Sequence, residues 1–473
     1  MRYLLVWCLL GVTSIVAGEI SEARLGFDGY VRQVNFWDSR QVIAERSGDY
    51  SLFPQEKNPD VQGRDINAQG DFGMWAIDTT LTLTVGNMHL GGPRGPDVLG
   101  KVAFFFLGNF EDFIELATQS FGFFMLQWEN TNLLVGQTTN PPFFYQISPN
   151  KYLDTLDVVA PAFQSSLPKQ IYDDPIPRTV SYAFGLPIET FAYVPMVRLM
   201  HTFCDTWHML LAAQAEQSDS SSVGFVNTTP EPFVLPPTQI SSEYWSNSKI
   251  PVLNAQLHKY FSNQSAIIVG AQYRRIQPSL VTDLNYKADT YVDAWSAYAG
   301  VKLNWHPVLT VIKCLYTQNG EADGNLCTYG IRTINPNTHE FTYTPLQTLN
   351  LWMDMRPAQD HHRYSPGIFV GYRKNLGTTH PLVNINEVSP AWGFTSYKDV
   401  IMKGNLIPDN QDLNIDWMIK IIPRIFIAFK RFQIGAEIEY NYVRFGDVQQ
   451  NGRVTNTYPV NHFRFLTGFY YYF

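Results

Sequence analysis

The chain of 473 residues carries a net charge of -8, 16% charged residues and a mean hydropathy of -0.15. That balance excludes a basic nucleic-acid-binding surface and a helical membrane protein, so no nucleic-acid partner is expected. The aromatic share, 15%, is the outlying value, and no linker, repeat or low-complexity tract marks a second domain.

Residues 1–18 read as a secretory signal peptide: Arg2, an apolar stretch from Leu4 to Ala17, then small residues ending at Gly18. Cys8 does not suit lipidation, because Trp7 precedes it where a lipobox needs a small residue. Residues 19–473 then form one domain, and after Ala17 no apolar run long enough for a helical membrane span recurs. Strand-like alternation follows in "LGFDGYVRQVNF" (25–36), "VLGKVAFFFLG" (98–108), "FGFFMLQWE" (121–129), "NLLVGQ" (132–137), "RTVSYAFG" (178–185), "VLNAQLHKYF" (252–261), "QSAIIVGAQYRRI" (264–276), "AYAGVKLNW" (297–305), "LTVIKCLY" (309–316), "LQTLNLWMDM" (346–355) and "GIFVGYRK" (367–374). Tight turns such as "FSNQSA" and "NWHPVL" alternate with long Asn/Asp/Gly/Pro-rich stretches. Short turns on one rim and long loops on the other characterise membrane barrels.

The last three strands show the pattern most fully. In 415–430 the residues Ile415, Trp417, Ile419, Ile421, Ile425, Ile427 and Phe429 alternate with Asp416, Lys420, Arg424 and Lys430. In 432–442 an apolar face opposes Gln433, Glu437, Glu439 and Asn441, and in the final strand Phe463, Phe465, Phe469, Tyr471 and Phe473 share one face. These runs cover roughly 11 to 17 residues, against about 5–6 for a strand of a soluble protein. They are long enough for a tilted membrane crossing. Lipid offers no partner to backbone polar groups, so a spanning sheet must close, and its charged face must line the lumen. The expected fold is all-β: a transmembrane antiparallel β-barrel of about 16 strands around a water-filled channel.

The terminal Phe473, with aromatics at alternate positions before it, resembles the targeting strand of Gram-negative outer-membrane barrels, and assigns Phe469, Tyr471 and Phe473 to the membrane-insertion signal. The stretches "GYVRQVNFWDSRQV" (29–42), "DINAQGDFGMWAIDTTLTLTV" (65–85) and "LQWENTNLLVGQTTNPPFF" (126–144) together resemble the DcaP-like branch of trimeric outer-membrane porins. The likeness covers about the first third of the chain. It implies a homotrimer in the bacterial outer membrane, contact with outer-membrane lipid, and passive diffusion of small hydrophilic or charged solutes. The chain departs from the pattern in two places. Its first strand begins near Leu25, directly after the signal, and "ATQSFGFFML" (117–126), preceded by Glu111, Asp112 and Glu115, stands where relatives carry arginines. An anion preference is therefore not carried over.

Residues 138–180 show no clear alternation, a length that points to a functional loop. In the resembling porins such a loop folds inward, which places Lys151, Asp154, Asp157 and Lys169 at a constriction; an outer loop over the trimer contact is the alternative. The strand-borne charges Arg32, Arg274, Lys420, Arg424, Glu437, Glu439 and Arg464 are the other pore-lining candidates, where opposed signs set a transverse field. Of Arg274 and Arg275, alternation allows only one to face the lumen. Cys314 and Cys327 flank "LYTQNGEADGNL"; a disulfide across a hairpin and two separate thiols are both open.

Other patterns point to no chemistry. Asp360, His361 and His362 have metal-binding residue types, but adjacent strand residues diverge and a turn fits better. "HLGGPRGP" lacks the lysine and hydroxyl residue of a phosphate-binding loop. His201 and His208 read as structural or interfacial, and no nucleophile and base converge as hydrolysis requires. No catalytic residue, metal or cofactor is expected. The function expected is an outer-membrane porin with a charged constriction, the alternative a surface-structural or adhesin barrel that conducts weakly or not at all.

Overall fold

A computed structural model describes residues 24–45, 50–76, 79–90, 95–106, 118–143, 179–181, 184–204, 206–215, 247–262, 265–278, 280–282, 284–320, 323–326, 329–358, 363–382 and 414–473. Residues 1–18, expected to be a signal peptide, lie outside them. In chain order the strands are β1 (Arg24–Asp38), β2 (Val42–Glu45), β3 (Tyr50–Pro54), β4 (Asp71–Trp75), β5 (Thr79–His89), β6 (Asp97–Phe106) and β7 (Thr118–Gln127). There follow β8 (Thr131–Thr139), β9 (Tyr193–Cys204), β10 (Trp207–Gln214), β11 (Val252–Tyr260), β12 (Ala266–Ile276), β13 (Val292–Trp305) and β14 (Val308–Gln318). The last are β15 (Tyr329–Ile334), β16 (Phe341–Pro357), β17 (Tyr364–Thr378), β18 (Ile415–Phe429), β19 (Phe432–Val448) and β20 (Val454–Tyr472).

All of these except β2 and β3 belong to one antiparallel sheet, which closes because β1 pairs with β20 on one side and with β4 and β5 on the other. Segments β4 and β5 lie in line along β1, as β14 and β15 do along β16, so the 18 segments make a closed barrel of 16 crossings. The crossings turn back tightly at residues 128–130, 306–307 and 430–431 on one rim, while the excursions 39–70, 140–192 and 379–414 leave from the other. The expected asymmetry of the rims is present.

Alternation sorts the faces. On β20, Phe463, Phe465, Phe469, Tyr471 and Phe473 are exposed on the outside, while His462, Arg464, Leu466, Tyr470 and Tyr472 are buried within. Outward Leu253, Leu257, Ile267, Val269, Trp295 and Ile425 continue the apolar band around the barrel. At the seam the Phe473 N–H donates to the Gly29 carbonyl at 3.1 Å. A glycine is required there: a Cβ at position 29 would stand 2.4 Å from the Thr80 carbonyl oxygen and 2.8 Å from the Phe473 ring.

The lumen is not lined by water-facing side chains alone. A buried apolar cluster joins Ile43, Leu52 and Phe53 of the β2–β3 hairpin, Phe184, Leu186 and Ile188 of an inward turn, and wall residues including Trp352, Phe369, Ile422 and Val443. The described residues of the predicted strand at 178–185 form no strand. Thr179–Ser181 and the turn at 184–188 lie inside the barrel instead; Gly185 takes φ +85°, and its carbonyl accepts from the N–H groups of Ile188 and Glu189, both at 3.0 Å. Val180 and Phe184, the apolar residues that suggested a strand, dock on the inner wall.

Candidate pore interior

The inner face of β16–β20 and β1 concentrates charge because alternate residues there are ionisable. Register sets Arg424 opposite Glu437, and Glu439 opposite Arg464, which in turn faces Asp38. Asp38 accepts from His462 Nε2 at 2.7 Å and lies 3.7 Å from Arg464 Nε, and the Arg464 guanidinium sits 4.1 Å over the Phe36 ring. The amide of Asn441 lies 3.1 Å from the other nitrogen of His462, completing a buried chain. Asp354 bridges two arginines, Arg424 at 2.7 Å and Arg356 at 3.2 Å.

Much of this charge is used to hold chain segments inside the barrel. Arg32 donates to the Val180 carbonyl at 2.6 Å, and the Glu437 carboxylate accepts the N–H groups of Val180 at 2.5 Å and Ser181 at 3.1 Å. Lys420 Nζ donates to the carbonyls of Ser51 at 2.8 Å and Leu186 at 2.7 Å, and Glu439 stands 3.6 Å behind it. One lysine thus joins the β2–β3 hairpin to the inward turn. Arg424 lies 4.8 Å over the Phe184 ring of that turn.

Inward residues of β12, β14 and β17 hold further pieces. Lys313 pairs with Glu189 and donates to the Pro142 carbonyl at 2.6 Å and to Thr190 Oγ1 at 3.1 Å. Asp323, from the loop after β14, accepts from Arg274 at 3.0 Å, Gln272 at 2.9 Å and Asn140 at 2.9 Å. Arg373 donates to the Leu326 carbonyl in the same loop. Outside the strands, burial works to raise the Asp65 carboxyl, but the Asn58 N–H and the Arg40 guanidinium hold it below its ordinary value, fastening the excursion that carries the hairpin.

All seven strand-borne candidates, Arg32, Arg274, Lys420, Arg424, Glu437, Glu439 and Arg464, point into the barrel and are buried. Arg274 is the inward member of its pair; Arg275 faces out and meets Asp293 at 2.6 Å. Lys151, Asp154, Asp157 and Lys169 lie outside the described residues, as do Asp360, His361 and His362. The ends of the long loop that are described, Asn140–Phe143, Thr179–Ser181 and Phe184–Ala192, lie largely buried inside the wall. Cys314 is a free thiol exposed on the outer face of β14, and Cys327 is outside the described residues. Asp323 and Asn325 of the loop after β14 are buried on the lumen side, while Cys314 lies on the outer face of the wall. His201 and His208 make side-chain bonds to Thr131 and Thr202 on neighbouring strand positions.

Several interior groups escaped the sequence reading. Lys313, Asp354 and Arg373 sit on the inward parity of strands whose alternation was recognised, so face counting would have found them. Glu189, Asp323 and the whole β2–β3 hairpin lie in non-crossing segments, where no periodicity reports which side of the barrel is occupied. Among the described residues the buried ionisable side chains comprise eleven Lys and Arg against six Asp and Glu, a basic excess inside a chain of net charge -8.

No protein-family model matches the chain, and no curated protein matches it in sequence. Among solved structures it is similar to the crystal structure of the outer membrane channel DcaP of Acinetobacter baumannii, with a TM-score of 0.59 and 13% identity over 97% of this chain and 100% of that one. Weaker likenesses are in-vitro folded OmpT of Vibrio cholerae, TM-score 0.47 and 10% identity over 96% and 100%, and OprB of Pseudomonas putida at high pH, TM-score 0.43 and 9% identity over 95% and 94%. The fold is that of the outer-membrane channel barrels, and the apolar outer band fits a multi-pass barrel of the outer membrane.

Proposed function

We propose that this protein is an outer-membrane channel for passive diffusion of small hydrophilic and charged solutes, assembled as a homotrimer. The observation that carries this reading is the sorting of faces: an apolar exterior and a lumen-facing wall bearing Arg32, Lys420, Arg424, Glu437, Glu439 and Arg464. Charge on that wall serves no purpose towards lipid and sets the field along an aqueous path. The excess of buried basic over acidic side chains favours anions over cations. Lys151, Asp154, Asp157 and Lys169 extend the charged constriction in this reading, and the trimer rests on the resemblance of the first third of the chain. Passage needs neither a catalytic step nor a cofactor.

A second reading, a surface-structural barrel that conducts weakly or not at all, draws on the packed interior cluster around Trp352 and Phe369. Planar-bilayer recording of the purified, heat-modifiable barrel separates the two. The channel reading expects discrete conductance steps and, under a KCl gradient, a reversal potential of the sign that anion preference gives; Lys151→Glu moves it towards cations. A folded barrel with no steps under any condition overturns the channel reading.

A further inference from the structure

Five ionisable side chains of the barrel wall are buried against segments that do not themselves cross the membrane: Arg32, Arg274, Lys420, Arg424 and Glu437. A permanently filled lumen has no need of them. Replacing buried ion pairs by apolar side chains of like volume is commonly neutral or stabilising, so a sealed barrel is better built from leucine and phenylalanine. The same wall is well suited to water, since each of these groups regains its hydration once the segments leave. The partners they hold are backbone atoms for the most part: the carbonyls of Ser51, Val180 and Leu186 and the N–H groups of Val180 and Ser181. Backbone groups are equally satisfied by water, so release leaves no buried polar atom stranded.

We propose that the β2–β3 hairpin and the turn at 184–188 form a two-part gate inside the barrel, and that Lys420 is the latch that holds both parts in the closed position. The proposal rests on the channel reading. Lys420 is placed for this because it is the residue whose ammonium contacts both inserted pieces at once, Ser51 from the hairpin and Leu186 from the turn, and Glu439 at 3.6 Å keeps its charge compensated. Arg32 and Glu437 act beside it on the backbone of Val180 and Ser181, which precede the turn in the chain. Leu52, Phe53, Phe184, Leu186 and Ile188 supply the apolar contact between the parts that favours closure. Opening exposes the charged wall of β18–β20 and β1, and the solute then meets Lys420, Glu439 and Arg464 as the pore lining.

The test has an electrical and a chemical readout. Single-channel recording compares the wild-type protein with Lys420→Met, which keeps the side-chain volume and removes the ammonium, and with Lys420→Arg, which retains donors. The gate expects rare, brief openings for the wild type, an open probability at least about tenfold higher for Lys420→Met, the factor that one lost hydrogen bond to a charged group corresponds to, and partial return for Lys420→Arg. In parallel, Ser51→Cys, made with Cys204, Cys314 and Cys327 changed to Ser, is treated with a water-soluble maleimide. Ser51 is buried in the closed state, and labelling is expected to accelerate when Lys420→Met is added. Conducting channels whose open probability and labelling rate do not change with Lys420 overturn the gate and leave the channel reading standing. Faster labelling without conductance in any variant overturns the channel reading and leaves a barrel with a releasable insert. Heat-modifiable mobility establishes that each variant is folded.

Discussion

Arg32 and Glu437, on strands separated by β20, hold the two backbone groups of a single residue: Arg32 takes the Val180 carbonyl at 2.6 Å and Glu437 accepts the Val180 N–H at 2.5 Å. The clasp fixes an inserted peptide without reading its side chain. Glu437→Ala leaves the N–H groups of Val180 and Ser181 without acceptors, and an unsatisfied buried N–H costs about 1–3 kcal/mol. Amide exchange at these two positions is therefore expected to quicken about 5- to 150-fold, with exchange on β19 and β20 unchanged. Equal protection in the variant would show that the clasp does not hold the segment in place.

The seam gives a second expectation. Gly29 admits the Phe473 ring and the Thr80 carbonyl where a Cβ would stand 2.8 Å and 2.4 Å away, and its own carbonyl receives the terminal N–H. Gly29→Val forces β1 away from both neighbours at the point of closure. The fraction of protein reaching the heat-modifiable folded form is expected to fall several-fold, and removal of Phe473 to slow folding in the same assay. A normal folded fraction for Gly29→Val would mean that the seam tolerates an opening of the register at this level.

Much of this was legible in the sequence, and the reason is parity. Membrane strands must sort side chains between lipid and lumen, so Phe463, Phe465 and Phe469 report one face and Arg464 the other without any tertiary information. Arg424 and Glu437 were assigned to the lumen on that basis and lie there. What the inward charges touch was not legible. Glu437 and Lys420 hold amide and carbonyl groups of residues 51, 180, 181 and 186, and backbone carbonyls are supplied by every residue type alike. The hairpin was missed for a related reason: four and five strand residues, Val42–Glu45 and Tyr50–Pro54, are too few for a crossing, and the apolar cluster they join inside the barrel is completed by residues far along the chain such as Ile422 and Val443. The segment 178–185 misled because its alternation satisfies a docking surface rather than a sheet.

The thiol chemistry follows from the same parity. Cys314 points outward from β14 while Lys313 and Leu315 point in. Alkylation of the unreduced, denatured protein is expected to modify Cys314 completely, and mobility on a gel is expected to be equal with and without reductant. A mass lower by two hydrogens and protection of Cys314 from alkylation would mean that the loop after β14 can reach the outer face.

Lys313 and Glu189 provide the most direct measure of what the interior charges contribute. Both are buried and paired with each other, and Pro142 and Thr190 also accept from the ammonium. Removing one charge strands the other, so Glu189→Leu alone is expected to cost about 3–5 kcal/mol in denaturant unfolding of the inserted region. Changing both, Glu189→Leu with Lys313→Met, removes the desolvation penalty together with the attraction. The double variant is expected to recover most of that loss and to match or exceed the wild type. If the double variant is as unstable as the sum of the single changes, the pair is a true stabilising contact, and the argument that wall charges persist for the sake of a wetted state loses its basis on this side of the barrel. Recovery in the double variant, joined to a loss of open-channel conductance, would place the value of Lys313 in the solute path rather than in the fold.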